Sequence, residues 1–167
     1  MHAAAHAEVA RFVGRHLSRE ESLKILEVGS LNVNGSLRGL FLCPEWSYVG
    51  LDLAPGPGVD IVTRCPYDLR DVKDRFDVIV SVSTLEHAAR PWELMVGMRG
   101  RLVPGGWLCV VAPSGGFEHR HPIDCWRFYP DGMRELCRYA GLTEVECYKN
   151  NDPPWFDTVL IARRGEK

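Results

Sequence analysis

The chain has 167 residues, 46% of them hydrophobic and 25% charged, proportions that suit a soluble globular protein with one core. A formal net charge of −2 gives no electrostatic case for nucleic acid, and no stretch approaches the ~20 apolar residues that span a bilayer. The six cysteines, at 43, 65, 109, 125, 137 and 147, form no C-x-x-C pair, and several sit in apolar stretches, which points to buried reduced thiols in a cytoplasmic protein.

The opening "MHAAAHAEVARF" mixes His, Glu and Arg into its apolar residues and is not a signal peptide. Residues 5–17 have helical periodicity, with Val9, Phe12, Val13 and Leu17 on one side, and residues 1–20 are a candidate lid on a single domain covering 1–167. Strand-like runs follow at 24–28, 46–52, 59–62, 76–82, 107–112, 144–149 and 156–162. Two are almost continuously hydrophobic, as in strands covered on both faces of a parallel sheet. Between them the connection at 34–42 suggests a short helix. "PWELMVGMRGRL" (91–102) and "PDGMRELCRYAGL" (130–142) each carry Pro at a first helical position, and the second stops at Gly141. The last two strands are joined by "NNDPPW" and no helix, so they form an antiparallel pair at one edge. The pattern predicts an α/β fold: a Rossmann-like doubly wound sheet of about seven strands, mostly parallel, with an antiparallel C-terminal hairpin.

In such a sheet, ligands bind beyond the carboxyl ends of the strands. The sequence places "EVGSLNVNGS" there after the first strand, with Gly29 and Gly35 allowing close backbone approach. Asp52 stands 23 residues past Gly29 at the end of the second strand, where a carboxylate accepts hydrogen bonds from ribose hydroxyls. A glycine loop paired with such an acid suggests an adenosine-type ligand; alone, Asp52 would read as a solvated strand-end acid. The loop is not G-x-G-x-x-G, which counts against a nicotinamide dinucleotide, and it lacks G-K-[ST], which counts against a phosphate-binding P-loop.

"ILEVGS", "YVGLDL", "FDVIVSVSTLEHAARPWELMVGMRGRLVPGGWLCVVAPS" and "AGLTEVE" together resemble a class I S-adenosylmethionine-dependent methyltransferase, of the small single-domain, type 11-like kind, over about 24–149. The most specific parts are "LEH" after the fourth strand and "L-x-PGG" before the fifth. The resemblance implies S-adenosyl-L-methionine as cofactor. It implies a first loop of Glu27, Gly29, Ser30 and Gly35, with Glu27 and Gly29 on the methionine part. Asp52 would hold the ribose and Leu53 the adenine face, with Cys65 in the loop that meets the adenine edge. Ser81, Val82 and Ser83 would flank the amino-acid end. The chain departs from the family in its lengthened "GSLNVNG" and in Arg64, which replaces an acid; Asp68 is a candidate substitute.

Methyl transfer from a sulfonium needs a positioned acceptor, and a base only where the acceptor must lose a proton. "GGFEHRHPIDCWRFYP" supplies His119, His121 and Asp124 as base and orienter, and Arg127 as a clamp for acceptor charge or a lock on Asp124. Asp124 and Arg127 also stand at ordinary salt-bridge spacing. Trp126, Phe128 and Tyr129 are candidate walls. "H-x-H-x-x-D" offers part of a metal site, but it shows no fourth ligand and Pro122 splits it, so no metal is expected. Glu86 and His87 read as structural, with His87 anchoring the turn. The expected acceptor is a small molecule, with neither nucleic acid nor membrane favoured and no motif for oligomeric state. The alternatives are a nicotinamide-dependent oxidoreductase and a non-catalytic member that binds cofactor or partner; a histidine-rich loop facing away from the cleft would favour the latter.

Overall fold

A computed structural model describes residues 2–166. Seven strands form one sheet: β1 (Leu23–Val28), β2 (Trp46–Asp52), β3 (Ile61–Val62), β4 (Phe76–Val82), β5 (Leu102–Ala112), β6 (Leu142–Lys149) and β7 (Thr158–Arg164). Their order across the sheet is β3-β2-β1-β4-β5-β7-β6. The first five are parallel to one another, and β7 runs antiparallel between β5 and β6. The chain thus builds outward from β1 to β3 on one side, then returns to β4 on the other. The crevice at the carboxyl ends of β1 and β4 is therefore the switch point where ligands bind in open α/β sheets.

Alternation along the strands sorts side chains into two cores. Leu26, Ile79, Leu108, Val110 and Leu160 face α2 (Pro91–Arg101) and α3 (Pro130–Tyr139), meeting Leu94, Met95, Met98 and Met133. Ile25, Val78, Val80, Cys109 and Ile161 face the other way, against Ala5, Val9, Phe12 and Val13 of α1 (Ala3–His16). Leu37 and Phe41 join this second core from a 3-10 turn at Arg38–Phe41, the short helix expected at 34–42. Both α2 and α3 begin with Pro in the first turn. The chain leaves α3 through Gly141, whose φ of +69° an L side chain rarely adopts.

Some boundaries differ from the sequence reading. The third strand spans two residues rather than four. The fifth begins at Leu102, so "PGG" lies inside it; Leu102 still pairs with Phe76, and the register shifts between Phe76 and Val78 to absorb the glycines. The cysteines are all free, but only Cys109 and Cys137 are buried, and Cys125 is exposed. Among the described residues, no helix is long and apolar enough to cross a membrane.

α1 is a core element along its length: Phe12 is fully buried and meets Trp107 edge-on at 6.2 Å between ring centroids. Phe12→Ala should therefore cost about 3–5 kcal/mol in urea denaturation. A loss below about 1 kcal/mol would mean that α1 rests loosely on the sheet.

Candidate functional site

A cleft of about 420 Å³ opens at the carboxyl ends of β1, β2 and β4. Its floor is shaped by one close approach. Gly29 has φ +85°, and a Cβ there would stand 2.0 Å from the Thr84 hydroxyl oxygen. Glycine is thus needed to let the first loop lie against the loop after β4. The Ser81 hydroxyl donates to the Val28 carbonyl at 3.0 Å, and the Thr84 hydroxyl lies 3.3 Å from that same oxygen. Ser83, between them, holds φ +50°, a strained value for a non-glycine residue, and its amide donates to Val111 at 2.9 Å.

The first loop turns its amides inward. Gly29 and Ser30 both donate to the Leu51 carbonyl, and Asn32 donates to that of Pro57. Leu31 donates to Asp52 Oδ2 at 2.9 Å and Gly35 to Asn32 Oδ1 at 2.8 Å. Asp52 Oδ1 accepts the Leu53 amide at 2.7 Å. A carboxylate has about four lone-pair sites, so both oxygens of Asp52 retain acceptor capacity toward the cleft. Glu27, almost buried, accepts from the Tyr48 hydroxyl. Burial raises its pKa, and the Tyr48 bond only partly offsets this.

Glu27, Gly29, Ser30, Gly35, Asp52, Leu53, Val82, Ser83, His119 and His121 line the cleft. Cys65, Ser81, Asp124 and Arg127 do not. Cys65 lies one residue before the lining pair Pro66 and Tyr67, and its carbonyl accepts from Thr63. Ser81 is buried as the clamp between β1 and β4. Asp124 and Arg127 form a two-pronged ion pair at 2.6 and 2.8 Å. Arg127 also donates to the Phe117 carbonyl, and Asp124 accepts the His119 amide at 2.7 Å. The Arg127 bonds, followed by that amide, hold the Asp124 carboxyl well below the usual carboxylate range. Asp124 is therefore a brace that shapes the loop and faces His119 Nδ1 at 3.4 Å, rather than a proton acceptor. Asp68 does not line the cleft either: it pairs with Arg70, while Asp71 holds Thr63 and the Arg64 amide.

His87 Nδ1 lies 2.6 Å from the Ile123 carbonyl, tying the turn after β4 to the loop after β5, which is the anchor expected of it. Its ring also faces the cleft beside His119 and His121, with centroids at 4.9 and 5.5 Å. Glu86 lies beneath, fully buried, with neither oxygen hydrogen-bonded. The link between β6 and β7 adds Trp155 and buried Asp157, with Trp155 stacked obliquely 4.6 Å from His119, and His2 reaches over from ahead of α1. Sequence reasoning missed these. For Trp155 and Asp157 the signal was "NNDPPWFD", two aromatics and two acids concentrated in what was read as a plain link.

No protein-family model matches the chain, and no curated protein does. Solved structures do match in fold. A Burkholderia thailandensis 1,6-didemethyltoxoflavin-N1-methyltransferase, solved with its substrate and S-adenosylhomocysteine, superposes with a TM-score of 0.75 at 20% identity, over 97% of this chain and 79% of that one. The CurJ carbon methyltransferase gives 0.74 at 14% identity, over 96% and 54%. The [4+2]-cyclase SpnF gives 0.73 at 13% identity, over 96% and 81%. The chain has the fold of class I S-adenosylmethionine-dependent methyltransferases, as its sequence resemblance implies.

Glu86 gives the site a pH signature. Burial pushes its carboxyl from an ordinary 4.5 up to about 8, with Asp124 and Asp157 adding to the shift and Arg127 opposing it. The folded state keeps a proton that the unfolded chain releases first, so this group's contribution is greatest below about pH 4.5 and is lost as pH rises to about 8. In chelator-treated protein, melting temperature against pH should fall through this window in the wild type. The difference from Glu86→Gln should carry that slope. Parallel profiles would mean that Glu86 ionises normally.

Proposed function

We propose that the chain binds S-adenosylmethionine in this cleft and transfers its methyl group to a small-molecule acceptor. The observation that carries this is the charge of the lining. Asp52 and Asp157 line the cleft together with Glu27 and Glu86, whose burial favours their protonated forms, and no lysine or arginine lines it among the described residues. A pyrophosphate needs free N–H donors or cationic side chains. Here the amides of Gly29, Ser30, Leu31, Asn32 and Gly35 are already engaged within the protein. S-adenosylmethionine carries no phosphate; its sulfonium and ammonium groups suit carboxylate acceptors in a partly enclosed, apolar-walled site, and only its single carboxylate calls for a donor. The same argument counts against the nicotinamide-dependent alternative.

In this reading Asp52 accepts from the ribose hydroxyls and Leu53, half exposed at the rim, covers the adenine. Glu27 lies beneath the first loop on the methionine side, and Ser83 presents its backbone beside it. The sulfonium carries the reactive group, so the protein orients the acceptor for in-line attack and excludes water. Where the acceptor must lose a proton, His119 or His121 is placed to take it. The histidine-rich loop faces the cleft, which supports a catalytic rather than a purely binding member. The fold alone does not choose the reaction, since it also matches a protein described as a cyclase. The free cysteines suit a reducing compartment such as the cytoplasm.

Calorimetry with S-adenosylmethionine, S-adenosylhomocysteine and NAD separates the readings. The first two should bind and NAD should not. Asp52→Ala should weaken nucleoside binding roughly 10- to 100-fold, the range for hydrogen bonds to a charged group. Binding of NAD alone, or unchanged affinity in the variant, would overturn the assignment.

A further inference from the structure

We propose that Glu86, His87 and His119 form a binding site for one divalent transition-metal ion of the zinc class at the wall of the cleft. One carboxylate oxygen and one ring nitrogen from each histidine lie within 4.8 Å of one another. Glu86 Oε1 stands 3.7 Å from His87 Nε2 and 3.9 Å from His119 Nε2. Ligands held tetrahedrally at about 2.1 Å from an ion stand about 3.4 Å apart, so modest side-chain rotation closes the set.

Three features point to an ion rather than to a chance cluster. Glu86 is fully buried, and apart from its own backbone amide, which lies near the carboxyl without hydrogen-bond geometry, neither of its oxygens has a donor. Buried polar groups are almost always satisfied. Without an ion the acid keeps a proton, and the groups that its O–H faces are the same two imidazole nitrogens that would share the ion with it. A dication would bind one of these oxygens and offset the burial of the charge. Second, His87 is oriented as metal-bound histidines are: Nδ1 faces the Ile123 carbonyl, leaving Nε2 free as a ligand. Third, His119 turns Nδ1 toward the Asp124 carboxylate at 3.4 Å without yet forming a hydrogen bond, and the Arg127 pair and the His119 amide fix that carboxylate in place, so the ring shift that brings Nε2 to an ion can also settle Nδ1. A carboxylate behind a histidine raises its basicity as a ligand and sets its tautomer.

Two imidazoles and one carboxylate are a borderline set that suits zinc and its neighbours over magnesium or calcium. Such a set leaves coordination positions for water or an oxygen of a bound molecule. All three ligands line the cleft, so those positions face it. His121 sits outside the set, 5.5 Å from the His87 ring, and with an ion on His119 it is the histidine left to take a proton from an acceptor.

The test uses the whole chain, stripped with chelator and titrated with Zn²⁺ alone, without nucleoside, followed by calorimetry and melting temperature. A parallel titration with Co²⁺ reads the ligand field by visible absorption. One equivalent should bind and raise the melting temperature, with a Co²⁺ spectrum of nitrogen and oxygen ligation. Glu86→Gln and His119→Ala should each weaken Zn²⁺ more than 100-fold while circular dichroism stays native, and His121→Ala should keep it. Absence of stoichiometric binding, a thiolate charge-transfer band, or affinity undiminished in both triad variants would overturn the proposal. Because Asp52 is untouched, nucleoside binding that persists without metal would leave the proposed function standing.

Discussion

The seam between the carboxyl ends of β1 and β4 is the constraint on which the cleft depends. There the first loop and the loop after β4 come so close that only glycine fits at position 29. The Ser81 hydroxyl then satisfies a strand-end carbonyl that the diverging backbone leaves behind, with Thr84 beside it. Once the seam closes, Leu51 accepts two amides from the first loop, and Asp52 is drawn onto the Leu31 amide. The carboxylates of Glu27 and Asp52 are thereby fixed on one wall, and Ser83 is held in its strained conformation on the opposite side.

The far wall is set by two ties across loops. His87 joins the turn after β4 to Ile123, and Glu86 contributes its carbonyl to the Cys125 amide at 2.7 Å. The Arg127–Asp124 pair closes the loop between them on itself. Together these bring two histidines from the loop after β5 against one from the turn after β4. They also place a buried acid where no hydrogen bond reaches it. A buried acid without partners is costly, and here it lies beside an unpartnered His119 Nδ1, so the wall carries information about what it is built to meet.

Much of this was legible in the sequence, for identifiable reasons. Strand positions followed from apolar runs, and 46–52 and 76–82 match to the residue because each is bounded by polar or turn-forming segments. Helix starts followed from Pro91 and Pro130. The antiparallel hairpin followed from the absence of a helix between its strands. The site was legible only in part. Position along a strand tells which loop reaches the cleft, so Asp52, Ser83, His119 and His121 were expected at the cleft, and they line it. It does not tell which way a side chain turns, so Ser81 was read as facing ligand when it braces backbone, and for Arg127 the choice between a clamp on the acceptor and a lock on Asp124 stayed open until the ion pair was seen. The histidine pair was weighed for metal with Asp124, its neighbour in sequence. The carboxylate that meets it is Glu86, from another strand's end, a proximity that spacing within one segment cannot encode. The expected clash at Gly29 was likewise with ligand, whereas the structure puts Thr84 there.

The central claim is that a cleft at the β1–β4 switch point, lined by acids and by no lysine or arginine among the described residues, holds a sulfonium nucleoside. A crystal structure of the chain with S-adenosylhomocysteine tests it most directly. The account predicts ribose hydroxyls within hydrogen-bond distance of Asp52, the amino-acid end between the first loop and Ser83, and the thioether sulfur facing the His119–His121 wall. A nucleoside bound elsewhere, or ribose hydroxyls turned away from Asp52, would contradict it.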